Sequence, residues 1–289
     1  MALRPKFSII TITFNAGRVI EPTLRSVLSQ SYDNYEYLLI DGGSNDDTLA
    51  KAKASGISFS HIVSEKDNGL YDAMNKGIAL ASGDYLCFLN AGDAFHSPDT
   101  LQTIVNAIEG EEELPHVLYG ETAEVDEARN FVRMRRLKAP EKLTWRSFKD
   151  GMLVCHQAFY ARRDIAPMYN LEYRLSADVD WCIRVMKNSS RLVNVNATVV
   201  DYLQNGLSLQ HHRACRLQKN HGGRLRSPHI RKNPGKPGNK NRKKQNHHNH
   251  RYPKHHAGIN GTGYDKILQL FGFPHEFIQL PYRFRQTSA

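Results

Sequence analysis

Residues 7–15 read Phe-Ser-Ile-Ile-Thr-Ile-Thr-Phe-Asn, and residues 84–93 read Asp-Tyr-Leu-Cys-Phe-Leu-Asn-Ala-Gly-Asp. Each is a β-branched, aromatic and apolar run of strand length that ends on polar side chains. Two further runs of this kind, 35–40 (YEYLLI) and 59–63 (FSHIV), lie between them. Helical patterns fill the gaps: Ile20, Leu24 and Val27 follow the first strand. Leu70, Ala73, Met74, Gly77, Ile78 and Ala81 precede the fourth at helical spacing. After the fourth, Ser97-Pro98-Asp99 offers an N-cap, a proline at the first helical position and a first-turn acid ahead of Leu101, Ile104, Val105 and Ile108. Strands alternating with helices predict an α/β domain with a mainly parallel central sheet and right-handed crossovers.

In open α/β sheets ligands bind beyond the carboxyl ends of the strands. Asn15 follows the first strand, Asp41 the second, Asp67 the third after a short turn, and Asn90 and Asp93 the fourth. Such residues also populate ordinary βα turns, but their recurrence after four strands suits a nucleoside and a divalent cation. No GxxxxGK[ST] loop is present, and Asp41-Gly-Gly-Ser-Asn-Asp-Asp-Thr48 is not a GxGxxG fingerprint. Kinase, P-loop and dinucleotide oxidoreductase readings are disfavoured. A nucleotide diphosphate has to be neutralised by a metal and basic side chains.

The chain has 289 residues and a formal net charge of +10, unevenly placed. Fourteen of its 39 Lys and Arg lie between Asp201 and Asp265, where there is no acid. A mildly acidic body therefore carries a basic appendage. Residues 213–262 are rich in Gly, Pro, Asn and His without apolar periodicity, which reads as disordered. Residues 263–289 read as an amphipathic segment, with Tyr264, Ile267, Leu268, Phe271 and Phe273 ahead of Arg283 and Arg285. The tract suits a solvated tail, an anionic lipid surface, to which each Lys or Arg contributes roughly 1 kcal/mol, or a nucleic-acid arm. Nucleic acid is the least supported, since Tyr252 is the one aromatic within the basic stretch. Nine of the 14 histidines fall in residues 211–256, at spacings that match no standard zinc pattern. No apolar run approaches the roughly 20 residues of a membrane-spanning helix, and Phe7–Phe14 reads as a strand rather than a signal peptide. Four widely spaced cysteines point to a reducing cytosol without disulfides.

The segments FSIITITFN, DGGSNDDT, DNGLYDAMNKGIALASGDYLCFLNAGD and SADVDW, in this order, resemble the inverting family 2 glycosyltransferases of GT-A fold. The third is similar to the bacterial branch that builds exopolysaccharide and colanic-acid-type repeats. The resemblance spans residues 5–212 and implies a single Rossmann-like GT-A domain over 1–212. It implies that Thr13 and Asn15 border the nucleobase, that Asp41 contacts base or ribose, and that Asp67, Asn75 and Lys76 lie on the nucleotide side. Asn90-Ala-Gly-Asp93 stands where the family carries its DxD metal motif, so Asp93 and Asn90 become the candidate ligands for Mg²⁺ or Mn²⁺. Only one carboxylate remains there, and Mg²⁺ can sit on one carboxylate plus substrate phosphates and waters. His156-Gln157 resembles a pair near the acceptor side, with a core histidine as the alternative. Asn205-Gly-Leu-Ser208 resembles a loop that closes over the donor. Trp145 and Tyr169 read as core or loop aromatics before sugar-stacking ones.

The segment SADVDW matches the one that ends in the family's catalytic base, and helix geometry bears on which aspartate it is. A helix starting near Ser176 buries Val179, Cys182, Ile183 and Met186. Asp180 then stands over Arg184 at i+4 and is paired, whereas the helix supplies Asp178 with no basic partner. Asp178 is the candidate base. The implied function is an inverting, metal-dependent transfer of a sugar from a nucleotide-sugar to a hydroxyl of a glycan or polyprenyl-linked acceptor in cell-surface polysaccharide synthesis. The implied location is cytoplasmic, peripheral on the inner membrane face through residues 213–289. The alternative is a non-catalytic nucleotide- or nucleic-acid-binding protein that keeps the fold.

Overall fold

In the computed structural model of the chain, described for residues 3–204 apart from 174, strand β1 (Phe7–Thr13) is buried along its whole length. Both its neighbours run parallel to it: β2 (Tyr35–Asp41) on one side and β4 (Tyr85–Phe88) on the other. A strand covered on both faces reads as a near-continuous apolar run, which is why FSIITIT was so legible. β3 (His61–Ser64) adds to β2, also parallel. The register places Thr13 opposite Asp41, and Asp41 opposite Ser64. Three strand ends therefore share one edge.

Helices α1 (Ile20–Leu28), α2 (Thr48–Ala54) and α3 (Leu70–Leu80) make the crossovers. α1 buries Ile20, Leu24 and Val27 and α3 buries Tyr71, Ala73, Met74, Gly77 and Ile78, which fulfils the periodicities. A Cβ on Gly77 would stand 2.5 Å from the Ile10 side chain, so this glycine lets α3 lie close on β1. The helix expected to start at Pro98 begins two residues later, as α4 (Thr100–Asn106). Ser97 and Thr100 instead close a turn, and the Asp99 carboxylate accepts from the Ser31 hydroxyl rather than from its own helix.

Past β4 the sheet becomes mixed. Its order is β3-β2-β1-β4-β8-β6-β9-β5, with β7 off β6, where β5 is Ala94–Phe95, β6 Val117–Val125, β7 Phe131–Met134, β8 Phe159–Arg162 and β9 Leu192–Leu203. β8 pairs antiparallel with both β4 and β6, and β5 antiparallel with β9. The mainly parallel expectation thus holds for the first four strands. Beyond them β6 and β9 still pair parallel, but short connections enter, as at the 126–130 turn between β6 and β7, and such turns permit antiparallel pairing. Helix α5 (Ala177–Lys187) has Ser176 at its N-cap position and buries Val179, Cys182, Ile183 and Met186 as anticipated, with Trp181 and Val185 added. Cys87, Cys155 and Cys182 are buried free thiols. Among the described residues no helix is long and apolar enough to cross a membrane. The 205–208 loop, the basic 213–262 tract with its histidines, and the 263–289 segment lie outside the described residues.

At the amino edge of the sheet one carboxylate joins three elements. Glu36, 7% exposed, accepts from the Ser8 hydroxyl at 2.6 Å, the Ser82 hydroxyl at 2.6 Å, the Gly83 amide at 3.1 Å and the Lys6 ammonium at 2.9 Å. Burial pushes its carboxyl up, but the hydrogen bonds from Ser8, Ser82 and Lys6 prevail and hold it at about 2, against 4.5 for the free group. A depressed carboxyl stabilises the fold above its unfolded value, and that contribution is lost as pH falls towards the folded value. Glu36→Gln should lower stability by about 2 kcal/mol near neutrality, since buried donors lose a charged acceptor. Urea titrations should show the difference between variant and parent narrowing as pH drops from 4.5 to about 2.

Candidate functional site

At the carboxyl edge the loops after β1 and β2 are bound into one unit. Asp41 accepts from the amides of Gly43 and Ser44 at 3.2 and 2.9 Å, from the Ser44 hydroxyl, and from the Ser64 hydroxyl at 2.7 Å. It organises the β2 turn and ties it to β3, so the expected contact with base or ribose competes with four protein donors. Asn15, at φ 48, accepts from the Asn45 amide at 3.0 Å, while its own amide donates to Ser44 Oγ at 2.8 Å. Asp46 accepts from the Gly17 amide at 2.9 Å, and a Cβ on Gly17 would overlap the neighbouring Asp47 carboxylate. The stretch DGGSNDDT is therefore mainly loop-building. Thr13 Oγ1, at the end of β1, is buried with no hydrogen-bond partner among the described residues.

Asp67 comes to this edge across Gly42, where a Cβ would stand 2.7 Å from its Oδ2. Its Oδ1 accepts the Gly69 amide at 2.9 Å. Asn75 and Lys76, expected on the nucleotide side, both have partners within the protein. Both ends of the Asn75 amide are taken by the backbone of Tyr169, at 2.7 and 3.1 Å, so Asn75 positions a loop. Lys76 pairs with Glu65 at 2.8 Å, a surface ion pair of small energy.

Asp93, 5% exposed, accepts from Gln157 Nε2 at 2.9 Å and from the Leu203 amide at 3.0 Å. Burial pushes its carboxyl up to about 7. Arg129, in the left-handed region at φ 68, donates to the Gly92 carbonyl at 2.8 Å beside it. Asn90 Oδ1 is buried without a partner. Among the described residues no group of three or more His, Cys, Asp or Glu side chains could hold a metal ion. Asn90 and Asp93 offer two hard oxygens, which suits a cation that completes its shell on substrate phosphates and waters. They do not make a cage for a resident ion.

Asp178 lies in the first turn of α5, half-buried, and burial pushes its carboxyl above the usual range. Its Oδ1 accepts from the Tyr71 hydroxyl at 3.1 Å and the Val179 amide at 3.0 Å. Asp180 is bound by Arg184 Nε at 2.8 Å, the pairing anticipated from i+4 spacing. Tyr71 stacks on Tyr169 at 5.6 Å, and Tyr169 on Trp181 at 5.1 Å. His156 takes the core alternative. It is 5% exposed, tilted against Phe88 and edge-on to Trp181, with Nε2 at 2.6 Å from the Tyr169 hydroxyl. It braces Tyr169 from the core rather than offering itself to an acceptor. Tyr71 and Arg135 escaped the sequence reading as site residues, and Gln157, read there with His156 on the acceptor side, instead donates to Asp93. Arg135 donates to the carbonyls of Leu137, Met152 and Leu153.

Residues 8–166 match the glycosyl transferase family 2 domain, more than half of the chain. The chain belongs to glycosyl transferase family 2. It is a glycosyltransferase. Over 203 residues it is 36% identical to a PGL/p-HBAD biosynthesis glycosyltransferase of Mycobacterium tuberculosis strain H37Rv, covering 68% of this chain and 75% of that one. The amylovoran biosynthesis glycosyltransferase AmsB of Erwinia amylovora is 26% identical over 211 residues, covering 68% and 69%. Among solved structures, S. aureus TarS 1-349 in complex with UDP superposes with a TM-score of 0.57 at 20% identity, and this glycosyltransferase spans 60% of that chain and is itself covered to 68%. A TarS 1-349 complex with UDP-GlcNAc gives 0.57 at 19% identity, covering 70% of this chain and 59% of that one. At these identities the likeness to TarS is one of fold.

Burial holds the His156 imidazole down at about 3. In an NMR titration its ring resonances, assigned by their loss in His156→Phe, should stay those of a neutral ring from pH 8 to 5. A midpoint between 6 and 7 would place the ring in water.

Proposed function

We propose that this glycosyltransferase moves a sugar from a nucleoside diphosphate sugar to an acceptor hydroxyl, with inversion, and that Asp178 is the base. The observation that carries the reading is Asp178 itself. It is a half-buried carboxylate at the start of α5, held by a phenol and an amide and, among the described residues, bonded to no cation, next to a neighbour, Asp180, already spent on Arg184. A hydroxyl is a poor nucleophile, and a positioned carboxylate whose affinity for a proton is raised by burial removes that proton as the new bond forms.

The donor side is proposed for the edge formed by Thr13, Asn15, Asp41 and Asp67. The partnerless Thr13 Oγ1 supports it, because buried polar groups are ordinarily hydrogen-bonded. UDP and UDP-GlcNAc, bound by TarS, make a uridine nucleotide the first donor to try. Asn90 and Asp93 would hold a Mg²⁺ or Mn²⁺ ion that arrives with the diphosphate and supplies Lewis-acid stabilisation to the leaving group. The names of the mycobacterial relatives and of AmsB support an acceptor in cell-surface glycan or glycolipid synthesis, including exopolysaccharide. The cationic excess of residues 202–264 supports a peripheral place on the cytoplasmic membrane face.

A thermal-shift screen of UDP-, GDP- and dTDP-sugars with Mg²⁺ or Mn²⁺ identifies the donor, since a ligand that binds only the native state raises its stability. With that donor, Asp178→Asn should cut nucleotide release by about 10²–10⁴-fold and leave the donor-induced shift in place. Asp180→Asn should retain most of the turnover. Undiminished activity in Asp178→Asn would overturn the assignment.

A further inference from the structure

We infer that Tyr71 is the positioning residue of the base, anchoring Oδ1 of Asp178 so that Oδ2 takes the acceptor's proton. This rests on the reading of Asp178 as the base. The two oxygens of this carboxylate are not equivalent. Oδ1 accepts from the Tyr71 hydroxyl at 3.1 Å and from the Val179 amide at 3.0 Å, whereas no donor among the described residues hydrogen-bonds Oδ2. A base needs one oxygen without a competing donor at the moment of proton transfer, and a fixed one, because reach and direction decide the step before basicity does. As the acceptor oxygen bonds to the anomeric carbon, its proton passes to Oδ2. The anomeric C–O bond to the diphosphate breaks and its electron pair leaves with the nucleotide.

Tyr71 is held for this task through an aromatic stack. Its ring stacks on Tyr169 at 23° between planes, and Tyr169 in turn on Trp181 at 14°. Trp181 is fully buried and donates through Nε1 to the Pro167 carbonyl at 2.7 Å. Burial raises the Tyr71 phenol further above its usual value, with Asp178 adding to the shift, so it remains a donor at any working pH. Gly69, at φ 115, sets the start of α3. The same turn that brings Asp67 to the strand edge thereby brings Tyr71 to Asp178, which couples the donor side to the base.

The titratable and charged groups that face Asp178 are Tyr71 from α3, Tyr169 from the segment before α5, Cys182 from α5 itself and Arg135 from after β7. Arg135 spends its guanidinium on three carbonyls. Tyr71 alone among their side chains donates a hydrogen bond to the carboxylate.

The test follows the Asp178 carboxyl by NMR in full-length protein labelled with ¹³C-aspartate, its resonance assigned by loss in Asp178→Asn. Tyr71→Phe keeps the ring and removes the donor. Its titration midpoint should rise by about one pH unit, and the acid limb of the turnover profile should move with it. Fluorinated tyrosine at position 71, a stronger donor, should move the midpoint down. A merely structural Tyr71 would alter melting temperature and leave the midpoint where it was. An unmoved midpoint with Asp178→Asn inactive overturns the positioning role alone. Activity in Asp178→Asn overturns the assignment of the base.

Discussion

The Tyr169 side chain and backbone are held from four directions, and the arrangement of the site depends on that clamp. Its ring lies between Tyr71 of α3 and Trp181 of α5. Its hydroxyl meets His156, and its backbone amide and carbonyl meet the two ends of Asn75. Stacked aromatics gain something on the order of 1 kcal/mol beyond the area they bury, but the geometric effect outweighs that sum. A helix following β3, a helix preceding β9 and the segment before β8 cannot shift independently while this residue is in place. Asp178 and Asp67, on different helical starts, are thereby fixed with respect to one another.

The sheet treats its two edges differently. At the amino edge Glu36 is a buried carboxylate with every oxygen engaged, held charged by hydroxyls, amides and a lysine. At the carboxyl edge Thr13 Oγ1 and Asn90 Oδ1 have no hydrogen-bond partners among the described residues, and burial pushes Asp93 and Asp178 towards protonation. Unsatisfied buried polar groups cost stability, and Thr122 Oγ1, Tyr160 Oη and Ser176 Oγ are of the same kind elsewhere among the described residues. The proposed donor edge is thus less fully bonded than the amino edge.

Much of this was legible in the sequence for physical reasons. β1 and β2 are covered on both faces and show themselves as apolar runs, while α1, α3 and α5 announce their buried faces by spacing. The pairing of Asp180 with Arg184 needed only the spacing of four residues. The second half of the sheet was not legible, because β5 has two residues and β7 and β8 have four each, too few to establish a period. The roles of Asn75, His156 and Lys76 depended on partners up to 94 residues away. Asp41 and Asp46 were ambiguous for a different reason. The residue types that bind a nucleotide also close turns, and only the positions of the surrounding amides separate the two.

Stereochemistry tests the central claim most directly. With one base on the acceptor side and one displacement at the anomeric carbon, an α-linked nucleotide-sugar must give a β-glycoside. The H1–H2 coupling of the first-formed product, read by proton NMR before any anomeric equilibration, should report the β configuration. A product that keeps the α configuration would contradict a single displacement assisted by Asp178.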